Sequence, residues 1–150
     1  MPIFQNIAES ESRHTLAVKT LLDKYKIDDP VMSDSIGVFT DPELKKLYTD
    51  LVTLGNKSLK DALIVGATIE DLDIYDLNIR LQETDNDDIR CVFDNLKRGS
   101  ENHMRAFMNQ LIRNGGTYKA RYISQLEMDL ILKTGHQRGG RGNGRRMNNE

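Results

Sequence analysis

The chain has no tryptophan, one cysteine and three prolines among its 150 residues. Each scarcity removes a class of structure. One thiol, Cys91, forms no internal disulfide and no zinc-binding cysteine pair, which fits a reducing compartment; its expected role is packing. A hydrophobic content of 38% with no Trp and three Pro suits a soluble helical protein better than a sheet-rich one. No run approaches the roughly 18 apolar residues of a membrane span. The first residues lack the basic and apolar regions of a signal peptide, so a cytoplasmic protein with no membrane partner is expected. There is no Gly-x-Ser-x-Gly and no Gly-rich loop ending in Lys-Ser/Thr, which removes the usual hydrolase and phosphate-loop signatures.

Charge is uneven along the chain. The segment 136–150 carries Arg138, Arg141, Arg145 and Arg146 against Glu150, a net +3, whereas the rest carries −5 within a total of −2. Rich in Gly, Arg and Asn, the segment has almost nothing apolar to bury, so it reads as a flexible tail appended to one domain over 1–135. Its guanidiniums could engage the phosphates and bases of a nucleic acid. Four arginines without an aromatic make a weak nucleic-acid surface, so the tail is read first as a solubilising extension.

Helix signals account for most of residues 1–135. Apolar periodicity predicts long helices over 3–25, 59–82 and 87–113, and short ones over 41–54 and 124–134. Thr40 with Glu43, Ser58 with Asp61, and Ser124 with Glu127 have the spacing of capping boxes. Pro42 suits a first turn, and the Gly115-Gly116 and Gly135 positions suit helix ends. The expected fold class is an all-α helical bundle with two short accessory helices.

What is present in the long helices is a set of ionisable side chains in otherwise apolar seams. The first helix reads Phe4, Ile7, Glu11, His14, Val18, Leu21, Tyr25 at helical steps of three and four. The next reads Leu59, Leu63, Gly66, Glu70, Asp73, Leu77, Leu81, and the third Ile89, Val92, Leu96, Ser100, His103, Phe107, Leu111. Each seam is interrupted near its middle. An unpaired charge buried in a bundle costs several kcal/mol or forces the group to neutralise, so three interruptions at matching depth call for a common partner. Glu11-Ser-Arg-His14 stacks a carboxylate and an imidazole on one helix face within reach of one ion. Glu11, His14, Glu70, Asp73 and His103 are therefore the candidate metal ligands, with Asp73 as a fifth ligand or an outer support. The remaining acids of that stretch, Asp71 and Asp76, lie off the seam and read as helix surface. Mixed carboxylate and imidazole donors suit iron or manganese first, as one or two ions, and zinc next. Tyr25, Tyr48 and Tyr75 are possible redox neighbours, although tyrosines in helical bundles ordinarily pack with one wet end.

The runs Phe4-Gln5-Asn6-Ile7-Ala8-Glu9-Ser10-Glu11 with His14, Ala62-Leu63-Ile64-Val65-Gly66-Ala67 with Ile69-Glu70-Asp71-Leu72-Asp73-Ile74, and Asn95 to Phe107 around Gly99 and His103 resemble an uncharacterised prokaryotic ferritin-like family, a domain of unknown function. The resemblance spans about 3–132 and implies a ferritin-like bundle with Glu11, His14, Glu70 and His103 at a metal site. Two departures qualify it. The family's usual helix before Phe4, with its glutamate, has no counterpart, so the bundle is expected to be incomplete. The position three before His103 is Ser100 rather than Glu, so one full Glu-x-x-His is present. An incomplete bundle exposes an apolar seam, for which a second copy of the chain is the expected cover. Two functions remain open: a metal-binding oxidase acting on iron, oxygen or peroxide, and a non-catalytic interaction module that binds a protein or RNA through its groove or tail.

Overall fold

Capping side chains decide where the helices begin. In the computed structural model, which describes residues 1–135, Ser58 Oγ accepts the Asp61 N–H at 3.0 Å, Asn86 Oδ1 accepts Asp88 N–H and Ile89 N–H at 3.0 and 3.2 Å, and Ser124 Oγ accepts Glu127 N–H at 3.1 Å. These caps open α3 (Leu59–Glu83), α4 (Asp87–Arg113) and α5 (Gln125–Lys133). Ahead of them run α1 (Pro2–Tyr25) and α2 (Pro42–Gly55), and no strand is present among the described residues. The expected cap of α2 is displaced by one residue: Asp41, and not Thr40, accepts Glu43 N–H at 2.7 Å and Leu44 N–H at 3.2 Å. A carboxylate there meets two free N–H groups and the positive end of the helix dipole, which a hydroxyl one residue earlier cannot match. The tail at 136–150, with Arg138, Arg141, Arg145 and Arg146, lies outside the described residues.

Helices α3 and α4 form the central pair, joined by a connection too short for anything except an antiparallel turn. Lys60 Nζ donates to Gly115 O at one end of the pair, and Arg90 Nη1 donates to Leu81 O at 2.9 Å at the other. The pair buries Leu63, Ala67, Ile74, Met104, Phe107 and Leu111. A Cβ at Gly66 would lie 2.4 Å from the Phe107 ring, so glycine is what lets that ring reach the α3 backbone. Phe4 then packs over Phe107 at a 5.8 Å centroid distance. At its far end α1 meets α4 again, where Lys24 pairs with Asp88 and Tyr25 Oη donates to Asp88 at 3.0 Å. Helix α1 therefore runs antiparallel to α4, yet none of its own residues is fully buried. Helix α2 lies on α3 and α5 on α4, where Arg105 Nη1 donates to Ile131 O at 2.8 Å near the end of α5. Among the described residues no helix is long and apolar enough to cross a membrane.

Two further expectations are corrected. Cys91 is exposed instead of packed, because the buried stripe of α4 runs through Ser100, Met104, Phe107 and Leu111 and its N-terminal turns lie largely outside the core. Asp71, expected at the surface, is 0% exposed, while Asp76 is exposed as anticipated. The cause is the central position of α3, which is covered on more than one side and buries Ala67, Asp71 and Ile74 as well as Leu63, Gly66 and Glu70. The Asp71 carboxylate is satisfied by four donors from one segment: Tyr118 Oη at 2.7 Å, Arg121 N at 2.6 Å, Tyr122 N at 3.2 Å and Ile123 N at 2.9 Å. That segment, between α4 and α5, has no regular structure of its own and is shaped around one side chain.

Removing Asp71 strands four donors at once. Asp71→Ala should cost about 3–5 kcal/mol in urea unfolding, as for breaking a buried hydrogen-bonded charge, whereas Asp76→Ala should stay within about 0.5 kcal/mol. Equal small effects for both would show that Asp71 does not hold the segment.

Candidate metal centre

Three helices bring three side chains to one point. Glu11 comes from α1, Glu70 from α3 and His103 from α4, each from the middle of its helix. One donor atom of each lies within 4.8 Å of the others. His103 Nδ1 stands 2.8 Å from Glu11 Oε1 and 3.5 Å from Glu70 Oε1. These approaches lack the alignment of hydrogen bonds: His103 Nδ1, Glu11 Oε1 and Glu70 Oε2 are buried side-chain atoms with no hydrogen-bond partner. Donor atoms gathered around a common point, already in ion-pair contact through His103, are also placed so that one ion could be shared among them. Ligand bonds of about 2.1 Å place adjacent donors about 3.0–3.4 Å apart, close to the 2.8 and 3.5 Å from His103 Nδ1 to the two carboxylates. The residues present thus fit a metal ion.

Electrostatics reinforce the geometry. Burial pushes the Glu70 carboxyl up to about 7, and the nearby His103 offsets this only in part. Burial would lower His103, but the carboxylates of Glu11 and Glu70 outweigh it and raise the imidazole to about 9. For Glu11 burial acts upward and is overcome by the two imidazoles, His103 and His14, which hold it at about 2. Burial, followed by the negative charge of Glu11, lifts Asp73 to about 6.

The other two expected ligands stand outside the group of three. His14 Nδ1 lies 3.0 Å from Glu11 Oε2, and its ring stacks on that of His103 at a 5.7 Å centroid distance, so it orients the glutamate. Its seat is Gly99, where a Cβ would come within 2.5 Å of His14 Cε1 and Nε2. The spacing of the sequence places Gly99 one turn before His103, and what it does not reveal is that the missing Cβ there is what admits the imidazole of another helix. Asp73 is half-buried one turn along from Glu70 and acts on the cluster through its charge. The tyrosines are engaged elsewhere: Tyr25 with Asn86 and Asp88, Tyr48 with Phe39 and Tyr75 with Tyr122.

The family model described as an uncharacterised protein domain, DUF2202, matches residues 1–135. The chain belongs to this family. The DUF2202 chain is also similar to the uncharacterised protein MJ0754 of Methanocaldococcus jannaschii, at 54% identity over 139 residues that span 93% of this chain and 75% of that protein. The crystal structure of the hypothetical protein MJ0754 from Methanococcus jannaschii matches with a TM-score of 0.89 at 53% identity, covering 91% of this chain and 78% of that one. The helical fold is therefore shared with an experimentally determined structure.

The shifted carboxyls and imidazole make stability depend on pH in a defined direction. The folded, metal-free chain holds a proton on Glu70 between 4.5 and about 7, and on His103 between 6.5 and about 9, that the unfolded chain has released. Stability from these groups is therefore lost as pH rises through those windows. Glu11 acts oppositely, its contribution being present above 4.5 and lost as pH falls towards about 2. Urea midpoints of chelator-treated protein should fall between pH 6.5 and 9, and His103→Gln should flatten that fall. An identical slope in the variant would show that His103 carries no shifted proton.

Proposed function

We propose that the chain is a divalent-metal-binding protein of ferritin-like type, with Glu11, Glu70 and His103 as protein ligands. The carrying observation is the convergence of their donor atoms from three helices, with Glu11 Oε1, Glu70 Oε2 and His103 Nδ1 buried and without an aligned hydrogen bond. Two carboxylates and one imidazole suit iron or manganese and also accommodate zinc. His14 sets the orientation of Glu11, and Asp73 tunes the charge around the cluster. Three protein donors leave open coordination positions, as catalytic metal sites do, so the catalytic form of this reading is an oxidase that handles oxygen or peroxide. The ferritin-like affiliation is supported by the all-helical fold with inward carboxylate and imidazole donors on facing helices. A cytoplasmic location is supported by an exposed free thiol at Cys91.

The metal reading is tested by metal content after purification and by titration of the stripped protein. His103→Ala should abolish stoichiometric binding, and His14→Ala should weaken it about 10–100-fold, the usual effect of removing an orienting partner. Helical circular dichroism should be retained in both. Full metal content in His103→Ala would make the histidine a core residue and end this reading.

A second reading, interaction with a partner, draws on a different feature. Between α1 and α2 the chain presents Ile27, Val31, Met32, Ile36, Val38 and Phe39, with exposures from 40% for Phe39 to 92% for Ile36. Monomeric proteins seldom leave so many large apolar side chains together in water, and a symmetric pair of identical chains is the commonest cover. Sedimentation at micromolar concentration should give a mass above the 17.1 kDa of one chain. A monomer that binds no hydrophobic dye would remove the need for a partner.

A further inference from the structure

His14 faces two ways. Its Nδ1 lies on Glu11, while its ring also lines a cleft of about 330 Å³ on the outer side of α1 and α4. Three segments wall the cleft: α1 with Val18 and Leu22, α4 with Leu96, and the chain at 29–34 with Pro30 and Val31. That last segment is tied down, since Lys19 Nζ pairs with Asp29 Oδ2 at 3.5 Å across the rim and Asp29 Oδ1 accepts Val31 N–H at 2.9 Å. The ring of His14 is pressed against Gly99, with room for no Cβ between them, and forms part of the cleft wall.

We propose that this cleft binds an uncharged, mainly apolar small molecule, placed with one end against His14 and hence one side chain away from Glu11. The volume lies at the lower end of ligand pockets and, at about 30 Å³ per water-sized group, holds roughly ten non-hydrogen atoms. The side-chain walls are chiefly aliphatic, which sets the ligand's character. Lys19 and Asp29 neutralise one another at the rim and Asp34 adds a negative charge, so an anionic ligand is disfavoured. The inference depends on the metal reading only for what the bound molecule lies beside. A chain segment of another copy is the competing occupant.

The test uses 1-octanol as the probe and two independent nuclear-magnetic-resonance readouts. Saturation transfer from chelator-treated protein to the octanol alkyl protons should be strong in the wild type. It should be about tenfold or more weaker in Val18→Trp and in Leu96→Trp, either of which fills the cleft; the second substitution keeps the test valid where the first fails to fold. One equivalent of Mn²⁺, with binding checked by electron paramagnetic resonance, should then broaden the octanol signals in the wild type. Absent transfer, or equal transfer in the wild type and a folded variant, overturns the cleft. Transfer without broadening while Mn²⁺ is bound overturns the placement beside Glu11. Failure to bind Mn²⁺ overturns the metal reading and the placement beside a metal, and leaves the cleft to be decided by the saturation-transfer result. Octanol binding only after a dimer is diluted to monomer would show that a second copy is the natural occupant and overturn the small-molecule assignment.

Discussion

The cost of burying charge on α3 governs this structure. Glu70 and Asp71 are neighbours in sequence, both within 2% of complete burial, and, about 100° apart around the helix, they face different neighbours. A buried carboxylate costs several kcal/mol unless compensated. The chain compensates the two in different ways. Asp71 receives four hydrogen bonds, three from backbone N–H groups, and the segment before α5 is folded to supply them. Glu70 receives none that is aligned, has one oxygen with no hydrogen-bond partner, and stands 3.5 Å from the His103 imidazole, whose shorter contact, 2.8 Å, is to Glu11. A fold able to satisfy one of these carboxylates so fully would have little reason to leave its neighbour bare for packing alone. That contrast, within one turn of one helix, is the strongest argument for a ligand at Glu70.

Close approach of the helices follows from two glycines and locates the cluster. Gly66 admits the ring of Phe107, and Gly99 admits the ring of His14. The first draws α3 and α4 together; the second draws α1 onto α4 at the depth where Glu11 can reach His103. Helix α1 contributes no fully buried residue, so its attachment rests on half-buried contacts, the Lys24 pair with Asp88 at one end, and the Glu11 contact in the middle. Elements held by few buried contacts open at the lowest free-energy cost. An ion shared by Glu11, Glu70 and His103 would tie α1 to the central pair, and its binding energy would appear as stability of that helix against the rest.

Much of this was readable in the residues, and the reasons are physical. Caps are local, so Ser58, Asn86 with its flanking acids, and Ser124 mark their helix starts to within a residue. The Thr40 reading failed because two adjacent residues could both cap, and charge against the helix dipole decided for Asp41. Seams with a single buried face were legible too, which is why Glu11, Glu70 and His103 could be placed inward by spacing alone. Asp71 was not legible. An acid off the main seam of an isolated helix is solvated by default, and its burial depends on a segment some fifty residues later that no periodicity in α3 reveals. Cys91 misled for the reverse reason: its side chain type is usually buried, yet it lies off the stripe that α4 turns to the core.

Ser100 bears on how many ions the proposed site would hold. The Glu-x-x-His of α1 places Glu11 and His14 on one face, but the equivalent turn of α4 offers a serine that is 2% exposed where a second carboxylate would be needed. Of the remaining candidates, Asp73 contributes charge from outside the converged group, and His14 spends its Nδ1 on Glu11. Three converged donors are enough to hold one ion with open positions and too few to bridge two. On this donor set the proposed site would hold a single ion, and at Gly99 the face of α4 is already covered by the His14 ring.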